Sequence, residues 1–531
     1  MSKKISKYGL LIIILVFASF LRFYHLGNFG IFGDEKQGIM VAVGNTNIGG
    51  QKAMMNPDKT FTPRDFWQPK TLSQLFDANA RGDTSGNAII HLLMMNVFGK
   101  VFGHSDFALR SVSVIVNLLT IFVIFLIGKN ILKSTKIGLL AAFLASIEPF
   151  FIVYSQQARF YTTAIFLTTL ASYYFLQILF LNKSTLRYYV GYTLAITGSL
   201  FSNYLTFTML IAHGLVWLLA DRSMTKFKNL SICYTVMLIP FVFWMTKGPG
   251  QYAIMYIKDA TNLYKSILND SKLVNLYRGF VDIANVENLS KRSIAIISDF
   301  FIFTNGLYDN VGYRFAVVGL ILFFIYIFYV IFKGSDAYER KIFLFIGLII
   351  TIPFLFALVS AYITGLMTGF YFRYTALGLP FVSILMAWVI LKTLDSNKIM
   401  GLGLGLILAF QGYSVVKILK EFYQDNPQKY SSSHGRNFNP YITLSKRIEM
   451  NYQAGDTILY PSEYTNVFST VIKRETKDFD NIDAQLCNLY LPKDATFIQK
   501  IDINEKNRVI LVTKNNQKTV LFNFEGKKYR Y

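Results

Sequence analysis

The sequence predicts a polytopic α-helical membrane protein of about 11 transmembrane helices, followed by a small extracytoplasmic α/β domain at the C-terminus. Three observations predict it. Of 531 residues, 53% are hydrophobic and only 16% charged, with a mean hydropathy of +0.38; soluble domains carry nearer a quarter charged residues. Apolar runs of the roughly 17–25 residues that cross a bilayer recur through most of the first 420 positions. The short loops that should face the cytoplasm are all net positive, as the orienting rule requires.

The chain opens with Lys3, Lys4 and Lys7 before an apolar run over 8–24. No small-x-small cleavage pattern follows, and Arg22 and His25 occupy the place of one, so the run reads as an uncleaved first span with a cytoplasmic N-terminus. Further apolar runs lie near 107–128, 137–154, 160–181, 190–203, 205–220, 229–246, 315–332, 342–363, 374–391 and 399–418. The loops assigned to the cytoplasm hold Lys129, Lys133 and Lys136; Lys183 and Arg187; Arg222, Lys226 and Lys228; Lys333, Arg340 and Lys341; and Lys392 and Lys398. An odd number of spans then puts the C-terminus outside, in the cell (inner) membrane plan. The net charge of +22 is partly this bias, and no nucleic-acid partner is expected. Cys233 and Cys487 form neither a disulfide nor a metal pattern, and there is no nucleotide-binding glycine motif, which removes an ATP-driven machine.

Three long segments fall on the outer side: 25–106, 247–314 and 421–531. Long loops gathered on one face mark where the work is done. The division expected is a membrane module over 1–420 and an α/β domain over 421–531. In the tail, apolar runs shorten to strand length at 457–460, 508–513 and 519–524, with Asn515-Asn516 as a turn and a helix over 437–452. The second outer segment mixes Lys247, Lys258, Lys265, Lys272, Arg278, Lys291 and Arg292 with apolar residues, as interfacial amphipathic helices do.

Asp34 and Glu35 are the sharpest chemical feature. They follow the first span by about ten residues, and a helical pattern resumes over 36–43. That places two carboxylates at a helix N-terminus near the membrane surface. Ordinary capping explains such residues as well as function does; a general base, or a carboxylate holding a divalent cation against phosphate, is the functional reading. Arg110 opens the second span just inside the outer interface, where snorkelling to the headgroups is the ordinary reading. The stretch from Glu148 to Tyr161 has a compact polar centre, Ser155 to Arg159, whose arginine suits phosphate oxygens at the interface. Glu148 is an acid near the end of a span that needs a partner. Asp83, Asn87 and His91 share one loop, the latter two at i, i+4 on one helix face. They read as cap and loop residues before they read as an acceptor or cation site.

Taken in order, Arg22, Asp34-Glu35, Phe102 to Asp106 with Arg110, Pro149 through Tyr161, and Arg373-Tyr374 with Pro380 resemble the GT-C fold polyprenyl-phosphate-sugar-dependent glycosyltransferases. The likeness is to the protein O-mannosyltransferase and aminoarabinose transferase group, glycosyltransferase family 39, and it covers most of 8–220. The resemblance implies inverting transfer of a sugar from a polyprenyl-phosphate donor on the outer leaflet to a lipid, glycan or protein acceptor. Asp34 would be the general base, and Glu35 would support it or share a divalent cation. Arg159, Arg373, Arg110 and Tyr161 would bind the donor phosphate. Where family members commonly show Ser-Arg-Glu-Ala-Arg, this chain has Ser155 to Arg159 with two glutamines, so one arginine and one acid are absent. The competing readings are a lipid or polysaccharide transporter or flippase, which needs mid-span polar residues and internal symmetry, and a surface-polysaccharide ligase or polymerase.

Overall fold

The computed structural model describes residues 7–28, 33–45, 58–81, 86–269, 283–302, 304–308, 310–396, 398–424, 430, 439–462 and 482–526. Seven helices among them are long and apolar enough to cross a bilayer: Asp106–Ile131, Tyr161–Phe180, Met224–Thr246, Val311–Gly334, Ala337–Thr364, Phe372–Asp395 and Gly403–Glu421. Thr135–Ser146 and Pro149–Ser155 make an eighth, bent by 59°. Pro149 causes the bend, since it has no N–H to continue the first ladder and its ring excludes the preceding turn. Glu148 restarts the helix as its N-cap, accepting from the Phe151 N–H at 2.7 Å.

Four shorter helices complete the bundle. Tyr8–Phe23, Tyr204–Ala220 and Leu186–Ser202 fall on expected spans. The fourth, Ile89–Phe102, lies inside the expected outer loop 25–106. At 14 residues it is about 21 Å long and falls short of a bilayer core of about 30 Å. The other loops are short because serine and aspartate start the next helix at once. Ser105, Ser134, Ser223 and Asp336 each accept a first-turn backbone N–H, which relieves one of the four donors a helix start leaves unmade.

Burial separates the bundle's centre from its lipid-facing wall. The span in Phe372–Asp395 is 83% buried, against 17% for Met224–Thr246 and for Val311–Gly334. Trp388 on the central helix stacks on Phe343 with ring centroids 4.0 Å apart. Small residues let backbones meet, as membrane packing requires: a Cβ on Gly128 would lie 2.4 Å from the Gly138 Cα.

The tail folds as a four-stranded sheet in the order β2-β1-β3-β4, with β1 Thr457–Pro461, β2 Ile498–Asp502, β3 Arg508–Val512 and β4 Lys518–Asn523. β1 pairs parallel with β2 and antiparallel with β3, which forms a hairpin with β4. Asn516 takes a positive φ of 58° in that turn, a conformation asparagine tolerates better than most residues. The helix expected over 437–452 is present as Pro440–Asn451 and buries Tyr441, Leu444 and Ile448 on one face; Asn437 itself lies outside the described residues. β2 and the helix Ile482–Asn488 were not expected.

The sheet is not isolated from the first outer segment. Phe61 exchanges both backbone hydrogen bonds with Gln499 of β2, at 3.0 and 2.8 Å. A capping box between Thr62 and Asp65, with Pro63 at the first helical position, then turns the chain. Trp67 Nε1 donates to the Asn488 carbonyl at 2.9 Å. The outer segments and the tail thus gather at one end of the bundle. Of the second outer segment, Lys272 and Arg278 lie outside the described residues. Gln251–Leu268 is a helix, and Arg292 stacks on the Tyr371 ring at 4.6 Å.

Candidate active site

Asp34 and Glu35 occupy the first turn of the helix Gly33–Ala42. Consecutive helical positions point about 100° apart, so the two carboxylates enter different surroundings. Glu35 is fully buried. Arg110 grips both its oxygens, Nε to Oε1 at 2.7 Å and Nη2 to Oε2 at 2.8 Å, and the Ala158 N–H donates to Oε1 at 2.8 Å. Arg110 also donates to the Leu26 carbonyl at 3.0 Å. Two desolvated charges are tolerable only when matched this fully. The pair ties together the end of the first span, the start of the second, the Asp34 turn and the loop ahead of Tyr161.

Arg110, expected as an interface anchor or phosphate ligand, is 1% exposed and engages Glu35. Glu35 is likewise not free to share a cation with Asp34. The residues do not fit a divalent ion there: Glu35 spends both oxygens on Arg110, and Asp34 faces two guanidinium groups. Among the described residues no three His, Cys, Asp or Glu side chains converge as a metal site.

Asp34 keeps 37% of its side chain accessible. Its Oδ2 lies 3.4 Å from Arg159 Nη2 and 3.6 Å from Arg373 Nη1. Both distances exceed the 2.7–2.9 Å or so of a close charge-assisted bond. Arg159 is anchored instead through Nη1, which donates to the Asp34 carbonyl at 2.6 Å. It reaches the site from the loop that Glu35 holds at Ala158. Arg373 comes from the short helix Phe372–Thr375 that opens the central span. Aromatic rings wall the pair: Arg159 lies over Phe160 and Tyr161 at 5.2 and 5.7 Å, and Arg373 over Tyr161 and Tyr374 at 6.0 and 5.1 Å. Two guanidinium groups sharing one carboxylate at a partly open, aromatic-walled point suit a phosphate beside a group that can take a proton.

The remaining candidates lie elsewhere. Glu148 is 4% exposed. Besides capping its helix, it accepts from the Asn305 amide at 3.3 Å, and Asn305 accepts in turn from the Tyr430 hydroxyl at 2.7 Å. Those contacts supply the partners that a buried acid needs. Asn87 and His91 do not share a helix face. The helix starts only at Ile89, after Ala88 in a left-handed conformation. Asn87 instead accepts from the Tyr204 N–H at 3.2 Å, while His91 Nδ1 pairs with Thr163 Oγ1 at 2.8 Å. Asp83 lies outside the described residues.

Sequence reasoning missed the clamp that joins the tail to this site. Asp106 pairs with the Tyr490 hydroxyl at 2.5 Å and the Asn439 amide at 3.0 Å. Lys36, beside Glu35, lies over the Tyr441 ring at 5.6 Å. Tyr490 and Asn439 are more than 300 positions from Asp106, so no local pattern could have joined them. Arg22 likewise proves buried, donating to Asn117 Oδ1 at 2.7 Å and to the Ala145 and Ser146 carbonyls at a helix C-terminus.

Residues 87–246 match the family model described as dolichyl-phosphate-mannose-protein mannosyltransferase. No curated protein matches the sequence. Among solved structures, ArnT from Cupriavidus metallidurans bound to undecaprenyl phosphate is similar at 11% identity and a TM-score of 0.48, over 91% of this chain and 74% of that one. The Archaeoglobus fulgidus oligosaccharyltransferase in complex with Zn and sulfate is similar at 16% identity and a TM-score of 0.45, over 84% of this chain and 56% of that one. This chain therefore spans just over half the length of the archaeal protein. The segment that supplies Arg110, Arg159 and Tyr161 falls within the mannosyltransferase family match, which bears out there the resemblance read from the sequence.

Proposed function

We propose that this chain is a membrane glycosyltransferase that moves a sugar from a polyprenyl-phosphate donor to an acceptor hydroxyl at the end of the bundle where Asp34 lies. The observation that carries the reading is the loose sharing of the Asp34 carboxylate by Arg159 and Arg373, at 3.4 and 3.6 Å. A lipid phosphate arriving there competes for the same two cations. As it takes them, Asp34 Oδ2 is released to accept a proton. The acceptor hydroxyl gives its proton to Asp34, and its oxygen attacks the anomeric carbon from the face opposite the phosphate. The carbon–oxygen bond to phosphate breaks, its electron pair stays on the lipid phosphate, and the two guanidinium groups offset the charge that develops. The result is inversion. Glu35 and Arg110 hold the turn that carries Asp34, and Tyr161 lines the phosphate position.

On this reading the N-terminus is cytoplasmic, the site and the α/β domain over 421–531 are extracytoplasmic, and the membrane module over 1–420 sits in the inner membrane. A hexose and a pentose donor are both compatible with the Asp34 site. The test is to incubate the purified full chain with polyprenyl phosphates carrying mannose, other hexoses or aminoarabinose, with extracted envelope as acceptor. Free polyprenyl phosphate is then measured. Acceptor-dependent release from one donor is expected; no release from any of them would overturn the reading.

A further inference from the structure

The helices Asp106–Leu126 and Tyr161–Phe180 both start beside the candidate active site. Twenty residues carry each about 30 Å to the other end of the bundle. There a cavity of about 790 Å³ lies between them, and Lys129, Lys133, Lys183 and Arg187 converge on its wall without a carboxylate in the lining. Asn130 and Tyr173 form part of its polar floor, the amide donating to the phenol oxygen at 2.7 Å.

Basic residues are expected in loops at this end of a membrane protein, so charge alone says little. Three observations set this group apart. The four cations come from two separate loops and face one cavity rather than spreading around the rim. None of the four has a carboxylate partner among the described residues, whereas Lys226 in the next loop is paired with Asp221 at 2.5 Å and Lys392 with Glu339 at 2.7 Å. Finally, the backbone departs from regularity where it borders the cavity. Helix Asp106–Leu126 ends in a π-turn over Ile127–Ile131, which brings Lys129 and Asn130 to the wall, and such turns recur at functional sites. Lys133, on the cavity wall, holds a φ of 53°. That left-handed conformation costs a lysine roughly 1–2 kcal/mol and persists only where the surroundings enforce it.

Three of the four cations are held by aromatic faces rather than by acids. Lys129 lies over the Tyr8 ring at 4.5 Å, Lys133 over Tyr338 at 4.7 Å and Arg187 over Tyr188 at 4.8 Å. These contacts position a positive charge without neutralising it. We infer that this cavity is a binding site for a phosphate-bearing anion, separate from the candidate active site and at the opposite end of the bundle. The anion is a phospholipid headgroup entering from the bilayer or a soluble phosphate entering from water, both satisfied by the same lysine and arginine donors. The inference does not depend on the function proposed for Asp34.

The test uses the full chain in phosphatidylcholine nanodiscs. One arm titrates inorganic pyrophosphate by calorimetry. The other mixes in phosphatidic acid and counts retained lipid by native mass spectrometry. The variant is Lys183→Gln with Arg187→Gln, both exposed and therefore compatible with folding. The control, Lys228→Gln with Lys333→Gln, removes the same charge from exposed positions outside the cavity. We expect the wild type and control to bind one probe, and the variant to bind it roughly thirtyfold more weakly. Pyrophosphate binding identifies a soluble ligand, and selective retention of phosphatidic acid identifies a lipid. Absence of both, or equal losses in variant and control, overturns the inference.

Discussion

Replacing Arg110 with Met removes the guanidinium that fills both oxygens of Glu35 and keeps most of the side chain's volume. Glu35 then keeps the Ala158 N–H against one oxygen while it stays fully buried. Breaking a buried pair from one side costs about 3–5 kcal/mol, because the other charge stays desolvated. At about 1.4 kcal/mol per tenfold, that is two to three and a half decades in the folded-to-unfolded ratio. Changing Glu35 to Gln in the same chain keeps an acceptor for Ala158 and removes the orphaned charge. The double variant should therefore lose about 2 kcal/mol less than the two single losses summed, within the range seen for contacting pairs. Unfolding by SDS titration in mixed micelles, followed by tryptophan fluorescence, measures all four forms. An Arg110→Met protein as stable as the wild type, or costs that simply add, would refute the coupling.

Two further predictions concern the junction between the first outer segment and the tail. Tyr490→Phe removes the hydroxyl that serves Asp106 and accepts from Asn439 at 2.7 Å; a loss of about 1–3 kcal/mol is expected, read as faster proteolytic release of the tail, and an unchanged cleavage rate counts against the clamp. His104 packs edge-on against Trp67 at 4.5 Å, and burial, with Lys493 and Lys100 adding to it, lowers its pKa from 6.5 to about 4. Between those values the unfolded chain binds the proton and the folded one does not, so stability falls as pH drops from 6.5 towards 4. His104→Gln should flatten that slope in denaturation curves at pH 7 and pH 4.5, and an identical slope would remove His104 as its source.

Much of the plan was legible because membrane burial leaves a local record. Long apolar runs mark spans, and the Asp34-Glu35 turn was found from its place after the first span. What local pattern does not record is which charge meets which. Glu35 and Asp34 are neighbours of the same chemistry, yet one is locked to Arg110 and the other faces Arg159 and Arg373, a division set by contacts 75 and more positions away. The full extent of Ile89–Phe102 was not read, because it lies inside a segment assigned to an outer loop, where a helix was read only around Asn87 and His91. β2 reads Ile-Gln-Lys-Ile-Asp, with two apolar positions, so its alternation is too brief to separate from loop; its partner Phe61 lies more than 430 positions away.

The most direct test of the central claim separates donor binding from turnover in Asp34→Asn. The amide keeps the size of the carboxylate and removes its capacity to take a proton. Arg159 and Arg373 remain to hold phosphate, so the purified variant should bind a polyprenyl-phosphate sugar at least as well as the wild type. Its rate of sugar transfer should fall by a factor of about 10²–10⁴. Donor binding retained with transfer lost is the result the account predicts; transfer at the wild-type rate would contradict it.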